Sequence, residues 1–292
     1  MGWLFRFVSG WPLALLHALG AVLGWIVFFA SGVYRRRFRD NVARAGIPWA
    51  EARPAVAAAG RMATELPWLW VGTRGRSLGD KLRWDGGELI EAALAEKRGL
   101  VMLTPHLGCF EICAQAIAER FTTPESPITV LYRPARQAAL RDVMAGSRER
   151  PGLATAPASL AGVRQMIRAL RRGEVIGLLP DQVPPDGLGV WAPFFGRPAY
   201  TMTLAARLVQ QTGAAVLLIW GERLPHGEGF TVHVLPAPEI AKDASADAAA
   251  ATINAAMESL IRRAPGQYLW GYHRYKEPRG LDIGAAPDNP TP

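Results

Sequence analysis

The sequence predicts an α/β fold: a mixed, mostly parallel central sheet flanked by helices, with a membrane-anchoring helix at the N-terminus. Short apolar runs of strand length recur at Gly99–Leu103, Pro127–Tyr132 and Val175–Leu179, and the segments between them carry the three-to-four-residue apolar spacing of helices. Each run ends in polar residues: Thr104-Pro105-His106 after the first, Arg133 after the second and Pro180-Asp181-Gln182 after the third. Ligands of open α/β sheets gather beyond the carboxyl ends of the strands. Those polar residues are therefore the candidates for function.

The N-terminal element is the run from Trp11 to Tyr34, 24 residues without a formal charge. At about 1.5 Å per residue it is long enough to span a bilayer core of about 30 Å. Trp11 and Tyr34 suit the two interfaces, and Arg35, Arg36, Arg37 and Arg39 follow against the single Arg6 before it. That asymmetry places the rest of the chain on the cytoplasmic side. A cleaved signal peptide fits less well, because the run is long and closes on arginines, and a buried core helix is the other alternative to a retained anchor. Gly20, Gly24 and His17 leave open a helix that lies in the interface instead of crossing it.

Residues 40–72 read as helical, with Asp40 as an N-cap and interruptions at Pro48 and Pro54. Trp68 and Trp70 near the end of this stretch suit either a core or an entrance for an acyl chain. A polar connection, Ser77–Arg83, leads to a helix over Gly86–Lys97 that turns Leu89, Ile90, Ala93 and Leu94 inward. After the Gly99–Leu103 strand, Phe110, Ile112, Cys113, Ala116, Ile117 and Ala118 form one helical face. A helix over Gln137–Arg150 makes Arg141, Arg148 and Arg150 available to an anionic ligand. Ser159 caps a helix with Leu160, Val163, Ile167 and Leu170 inside and Arg164, Arg168, Arg171 and Arg172 outside. Val183–Thr203, rich in Pro, Gly and aromatics, reads as a loop covering an apolar substrate or packed on the core. A helix over Leu204–Gln211, strands over Ala214–Gly221 and Gly229–Leu235 and a helix over Ala244–Arg263 complete the domain. The division is thus an anchor with its basic flank at 1–39, an α/β domain at 40–280 and a flexible tail at 281–292.

The chain of 292 residues is half hydrophobic and has a net charge of +8 and a pI near 10.0. Such a balance favours anionic partners: nucleic acid, an anionic membrane, an acidic protein or a phosphorylated lipid. The basic residues are dispersed and carry no nucleic-acid-binding motif, which argues against the first. Cys109 and Cys113, four apart on one helix, suit neither a structural disulfide nor a zinc site and read as free thiols. The remaining histidines lie too far from His106 to make a metal motif.

His106 and Glu111 form the leading pair. A carboxylate in the first turns of a helix is placed to set the tautomer of an imidazole at the preceding strand end and to stabilise its charged form. Such an imidazole takes a proton from a hydroxyl near neutral pH. Arg133, at the end of the next strand, suits a phosphate or a developing oxyanion.

Five segments in order give the chain a family resemblance over nearly its whole length. His106 and Glu111 match an HxxxxD/E motif, followed by Tyr132-Arg133-Pro134, Pro180-Asp181-Gln182, Pro193 to Gly196 with Ala199 and Thr201, and Gln267 to Lys276. In these the chain resembles the late acyltransferases of lipid A biosynthesis, within the glycerophospholipid acyltransferase superfamily. The family often has Gly-Asn-Trp-Glu where this chain has Gly108-Cys109-Phe110-Glu111. The resemblance implies an acyltransferase-type sheet and acyl transfer from an acyl-acyl carrier protein to a hydroxyl of a phosphorylated glycolipid at the inner membrane, with the catalytic domain on its cytoplasmic face. It implies His106 as general base oriented by Glu111, with Gly108, Cys109, Arg133, Pro134, Asp181 and Gln182 binding substrate, and no cofactor or metal. Acylation of another membrane lipid, such as a glycolipid mannoside, a lysophospholipid or an ornithine lipid, and a non-catalytic lipid-binding role stay open.

Overall fold

The computed structural model describes residues 2–132 and 150–280. Strands β1 (Leu82–Asp85), β2 (Leu100–Leu103), β3 (Ile128–Tyr132), β4 (Leu153–Pro157) and β5 (Val175–Leu178) enter one sheet. So do β8 (Ala215–Arg223) and β9 (Phe230–Pro236), while β6 (Gly189–Phe194) and β7 (Arg197–Met202) form a separate hairpin. The sheet order is β1-β9-β8-β2-β5-β3-β4. All its pairings are parallel except β8 with β9, so the sheet is mixed and mostly parallel, as expected. All four residues of β2 are buried. Val101 and Leu103 enter one core cluster and Leu100 and Met102 the other, which follows from the two-residue alternation of a strand covered on both faces.

Helices α6 (Glu88–Ala95), α7 (Phe110–Arg120), α8 (Leu160–Arg171), α9 (Leu204–Thr212) and α10 (Ala246–Arg263) cover the sheet and the hairpin. Leu160 departs from its expected inward position and is 77% exposed. It opens α8, and burial begins only with Gly162, Met166, Ala169 and Leu170. The expected loop at 183–203 contains the β6–β7 hairpin. Its Pro193 and Pro198 are cross-strand partners, which confines the two missing donors to one rung. Ala192, Phe194, Ala199 and Thr201 are buried, and Asn254 of α10 donates to the Pro193 carbonyl and the Thr201 hydroxyl at 2.8 and 2.9 Å. Strands β1 and β4 had no clear apolar signature, because they lie at the two sheet edges.

The N-terminal quarter holds only helices among its described elements: α1 (Gly2–Ser9), α2 (Leu13–Ala30), α3 (Gly32–Arg44), α4 (Trp49–Ala52) and α5 (Pro54–Pro67), then a π-helical turn at Trp68–Gly72. Ser31 interrupts the uncharged run and caps α3, its hydroxyl accepting from the Tyr34 amide at 3.2 Å. Asp40 lies inside α3 and is not a cap. Helix α2 has 18 residues and a mean hydropathy of 2.2, long and apolar enough to cross a membrane, yet a third of it is buried. Leu13, Leu16, His17, Gly20, Gly24 and Phe28 are its buried residues, while Leu19, Val22, Leu23, Ile26 and Phe29 are exposed.

The buried side of α2 rests on α5 almost backbone to backbone. A Cβ on Gly60 would lie 1.9 Å from the Gly20 carbonyl oxygen, and one on Gly24 would lie 2.2 Å from that of Val56. Thr64 closes the contact by donating to the Leu16 carbonyl at 2.7 Å. His17 Nε2 meets Glu65 Oε2 at 3.0 Å, and Glu65 in turn takes a two-toothed ion pair from Arg223 of β8 at 2.7 and 2.6 Å. Burial pushes the Glu65 carboxyl up, but the Arg223 charge and hydrogen bonds, with those of His17, bring it down to about 2.

Gly60→Val is expected to destabilise the protein by about 1–3 kcal/mol through overpacking and to speed tryptic cleavage of the helical backbone at Arg35 to Arg37. Thermal melting and timed proteolysis measure both. A variant with the melting curve and cleavage pattern of the wild type would contradict the backbone contact.

Candidate active site

The parallel pairing of β2 with β5 brings the candidate residues together. Leu103 stands opposite Leu178, and Thr104 extends the ladder by donating to the Leu178 carbonyl at 3.1 Å. Both chains then leave the sheet at the same edge, one into Pro105-His106 and the other into Leu179-Pro180-Asp181.

Asp181 is 1% exposed and holds His106 twice. Its Oδ2 accepts the His106 backbone amide at 2.9 Å and its Oδ1 meets ring Nδ1 at 2.7 Å. Burial pushes the Asp181 carboxyl up, but the His106 charge and hydrogen bonds, with the nearby Arg274 cation, leave it below the ordinary carboxylate range. An ionised Asp181 assigns the hydrogen of the neutral ring to Nδ1. Nε2 then carries the lone pair and accepts from the Gln182 amide at 3.1 Å. The ring packs edge-on against Phe110, centroids 4.8 Å apart, and its side chain is 17% exposed. The arrangement is a basic nitrogen at the surface backed by a buried carboxylate.

This differs from the expectation for Glu111. His106 and Glu111 share no hydrogen bond or ion pair, and Glu111 Oε2 accepts from the Trp70 indole at 3.3 Å. The two are five positions apart along the chain, but Gly108 and the start of α7 intervene, whereas register brings Asp181 alongside. Trp70 is buried and packs against Phe5 of α1.

The loop from His106 to Cys109 is fixed at successive backbone groups. The His106 carbonyl accepts from the Leu269 amide at 3.1 Å, and the Gly108 amide donates to the Gln267 carbonyl at 3.0 Å. The Gly108 carbonyl accepts from Arg223 Nη2 at 3.1 Å, and the Cys109 amide donates to the Gly221 carbonyl at 2.8 Å. Gly108 has φ +57° and a Cβ there would meet the Gly221 oxygen at 2.0 Å, so glycine is required by both conformation and space. Gly108 therefore acts through its backbone.

Cys109 was expected to touch substrate, but it is 1% exposed. Burial and the neighbouring Glu65 push its thiol well up, leaving it protonated. Arg133 and Pro134 lie outside the described residues, as do Gln137, Arg141 and Arg148. Arg150 is occupied in the fold, donating to the Leu69 carbonyl at 3.0 Å and to the Thr73 hydroxyl.

Two contributors, Arg223 and Glu65, escape the sequence reading, and a third, Gln267, enters it only as the start of the closing motif. Gln267 holds the Gly108 amide through its carbonyl and brackets the Arg223 backbone through its side chain, at 2.9 and 3.1 Å. Arg223 and Glu65 form the buried ion pair behind the loop. The available signal was an ionisable residue inside an apolar stretch, Glu65 before Leu66-Pro67-Trp68 and Arg223 at the end of β8.

A family model described as bacterial lipid A biosynthesis acyltransferase matches residues 3–277. The chain is 30% identical to a lipid A biosynthesis lauroyltransferase of Escherichia coli (strain K12) over 228 residues, 76% of this chain and 70% of that protein. It is 26% identical to a lipid A biosynthesis palmitoleoyltransferase of the same organism over 214 residues, 73% of this chain and 66% of the relative. A lipid A biosynthesis acyltransferase of Shigella flexneri matches to the same extent.

Because the folded Asp181 carboxyl is depressed, its contribution to stability is complete above the unfolded carboxyl value of about 3.9 and is lost as pH falls through the lower folded value. Urea unfolding at stepped pH is expected to show a steeper acid loss in the wild type below about pH 4 than in Asp181→Asn. Parallel curves would separate Asp181 from the His106 charge.

Proposed function

The chain belongs to the bacterial lipid A biosynthesis acyltransferase family, and from that premise we propose that it transfers a fatty acyl chain from an acyl-acyl carrier protein to a hydroxyl of a phosphorylated lipid A precursor. The observation that carries the proposal is the basic Nε2 of His106, held at the carboxyl end of β2 with Nδ1 against Asp181.

In this mechanism Nε2 removes the proton from the acceptor hydroxyl as its oxygen attacks the thioester carbonyl. The oxygen–carbon bond forms, the carbon–sulfur bond breaks, and the imidazolium returns the proton to the departing thiolate. Asp181 stabilises the imidazolium between the two transfers, a role first assigned to Glu111. Gln182 holds the ring's outer nitrogen until the hydroxyl arrives, and Glu111 with Trp70 forms the wall on the α7 side. Arg133 receives acceptor phosphate or oxyanion charge. The exposed Arg164, Arg168 and Arg171 of α8 suit an acidic carrier protein.

Residues 1–39 act as the anchor in this reading, 40–280 as the catalytic domain and 281–292 as a tail. The exposed face of α2, continued by Trp3 and Phe7 of α1, meets the acyl chains, and Arg35 to Arg39 meet anionic headgroups of the inner membrane's cytoplasmic leaflet. The cover that α5 gives the other side of α2 supports a helix lying within that leaflet over one crossing it.

His106→Ala is expected to lose about 10²- to 10⁴-fold in turnover with an unchanged melting temperature. Asp181→Asn is expected to lower kcat with little change in KM, and a folded His106→Ala enzyme with wild-type turnover would remove the base. Replacing Leu19 and Ile26 together by Asp is expected to release the folded protein from anionic phospholipid vesicles in a flotation assay. Undiminished flotation would place the lipid contact elsewhere.

A further inference from the structure

We propose that Arg223, held by Glu65 and His17, is a positioning residue for the proposed acyl transfer: it fixes the Gly108 carbonyl, and with it the loop carrying His106, to the seating of the lipid-facing helix α2. The inference rests on the acyltransferase reading and adds residues outside the motifs that identify it.

The cluster has an unusual placement. The side chains of Arg223 and Glu65 are 3% and 1% exposed, and that of His17 is 7% exposed. Arg223 places Nε and Nη2 on the two oxygens of Glu65 and then spends Nη2 again on the Gly108 carbonyl. Gly108 lies two residues beyond His106, and its carbonyl is held by Arg223 while His106 is held by Asp181. Of the described bonds that fix this loop, the one from Arg223 leads to α2, through Glu65 Oε2 to His17 Nε2.

A purely structural explanation makes a different forecast. Replacing a buried ion pair by apolar side chains of similar size is often neutral for stability, whereas removing one partner strands the other charge. If the pair only fills space, a matched apolar replacement retains both fold and activity. Should the guanidinium aim the Gly108 carbonyl, the same replacement retains the fold and relaxes the loop. A displacement of about 1 Å in a reacting group costs on the order of 10²-fold in rate.

The test compares the full-length wild type, Glu65→Met/Arg223→Met, Arg223→Lys and His17→Gln, with His106→Ala as the control for the chemistry. Each is assayed for acyl transfer and for hydrogen exchange in the peptide covering residues 104–110. The double variant is expected to melt near the wild type, lose about 10²-fold in kcat with KM little changed, and exchange faster at the Gly108 and Cys109 amides. Arg223→Lys, which keeps a cation opposite Glu65 but lacks the fork, is expected to fall between it and the wild type, and His17→Gln to show the same changes in smaller degree.

A folded double variant with wild-type kcat and exchange overturns the proposal. If that variant fails to fold, Arg223→Lys decides by the same two readouts, and its retention of wild-type kcat and exchange overturns the proposal as well. A wild-type protein without acyl transfer would defeat the functional reading, and the exchange data would still report whether Arg223 holds the loop.

Discussion

The site depends on one carboxylate that meets one residue at two points. Asp181 accepts both the backbone amide and the ring nitrogen of His106, so a single buried group sets where the loop runs and how the imidazole faces. The double contact needs both strand ends to leave the sheet side by side, which the β2–β5 register provides. A carboxylate in water would hold neither partner firmly. Out of water, its ionised form must be compensated, and here His106 and Arg274 do so.

A second buried carboxylate, Glu65, carries the same logic to the Gly108 end of the loop. Its cation reaches the Gly108 carbonyl, while the chain's closing segment supplies the remaining bonds through Gln267 and Leu269. That segment is anchored in turn: Asn41 of α3 donates to the Trp270 and Tyr272 carbonyls, each at 2.7 Å, and Arg274 is spent on the hairpin at Tyr200 and Thr201. The early helices and the last described turns thus meet behind the same few residues. Burial and the nearby Asp181 push the Tyr268 phenol well above its usual value, so it stays neutral in the wall they form.

The fold was legible where periodicity is strong. Strands β2, β3 and β5 are apolar runs bounded by polar residues, and the identity of the residues at their ends pointed to His106, Asp181 and Gln182 together. Their pairing was not legible. Sequence spacing favoured Glu111 as the partner of His106 because it is five residues away, whereas Asp181 reaches the ring through strand order, which local pattern does not encode. The hairpin of β6 and β7 hid behind its prolines for a related reason, since support from Asn254 comes from a helix some fifty residues later. Cys109 looked like a site residue from its place in the motif, but the start of α7 turns it into the core.

The contact of Gly20 and Gly24 with Gly60 means that the hydrophobic N-terminus is no interchangeable segment. Cutting it away would uncover a trough shaped for two bare stretches of backbone and would take from Glu65 its contact with His17. A borrowed leader of equal greasiness but ordinary side chains would not fit that trough. The exposed apolar face and the seating that reaches Glu65 belong to the same eighteen residues, so neither is free to be re-engineered without the other.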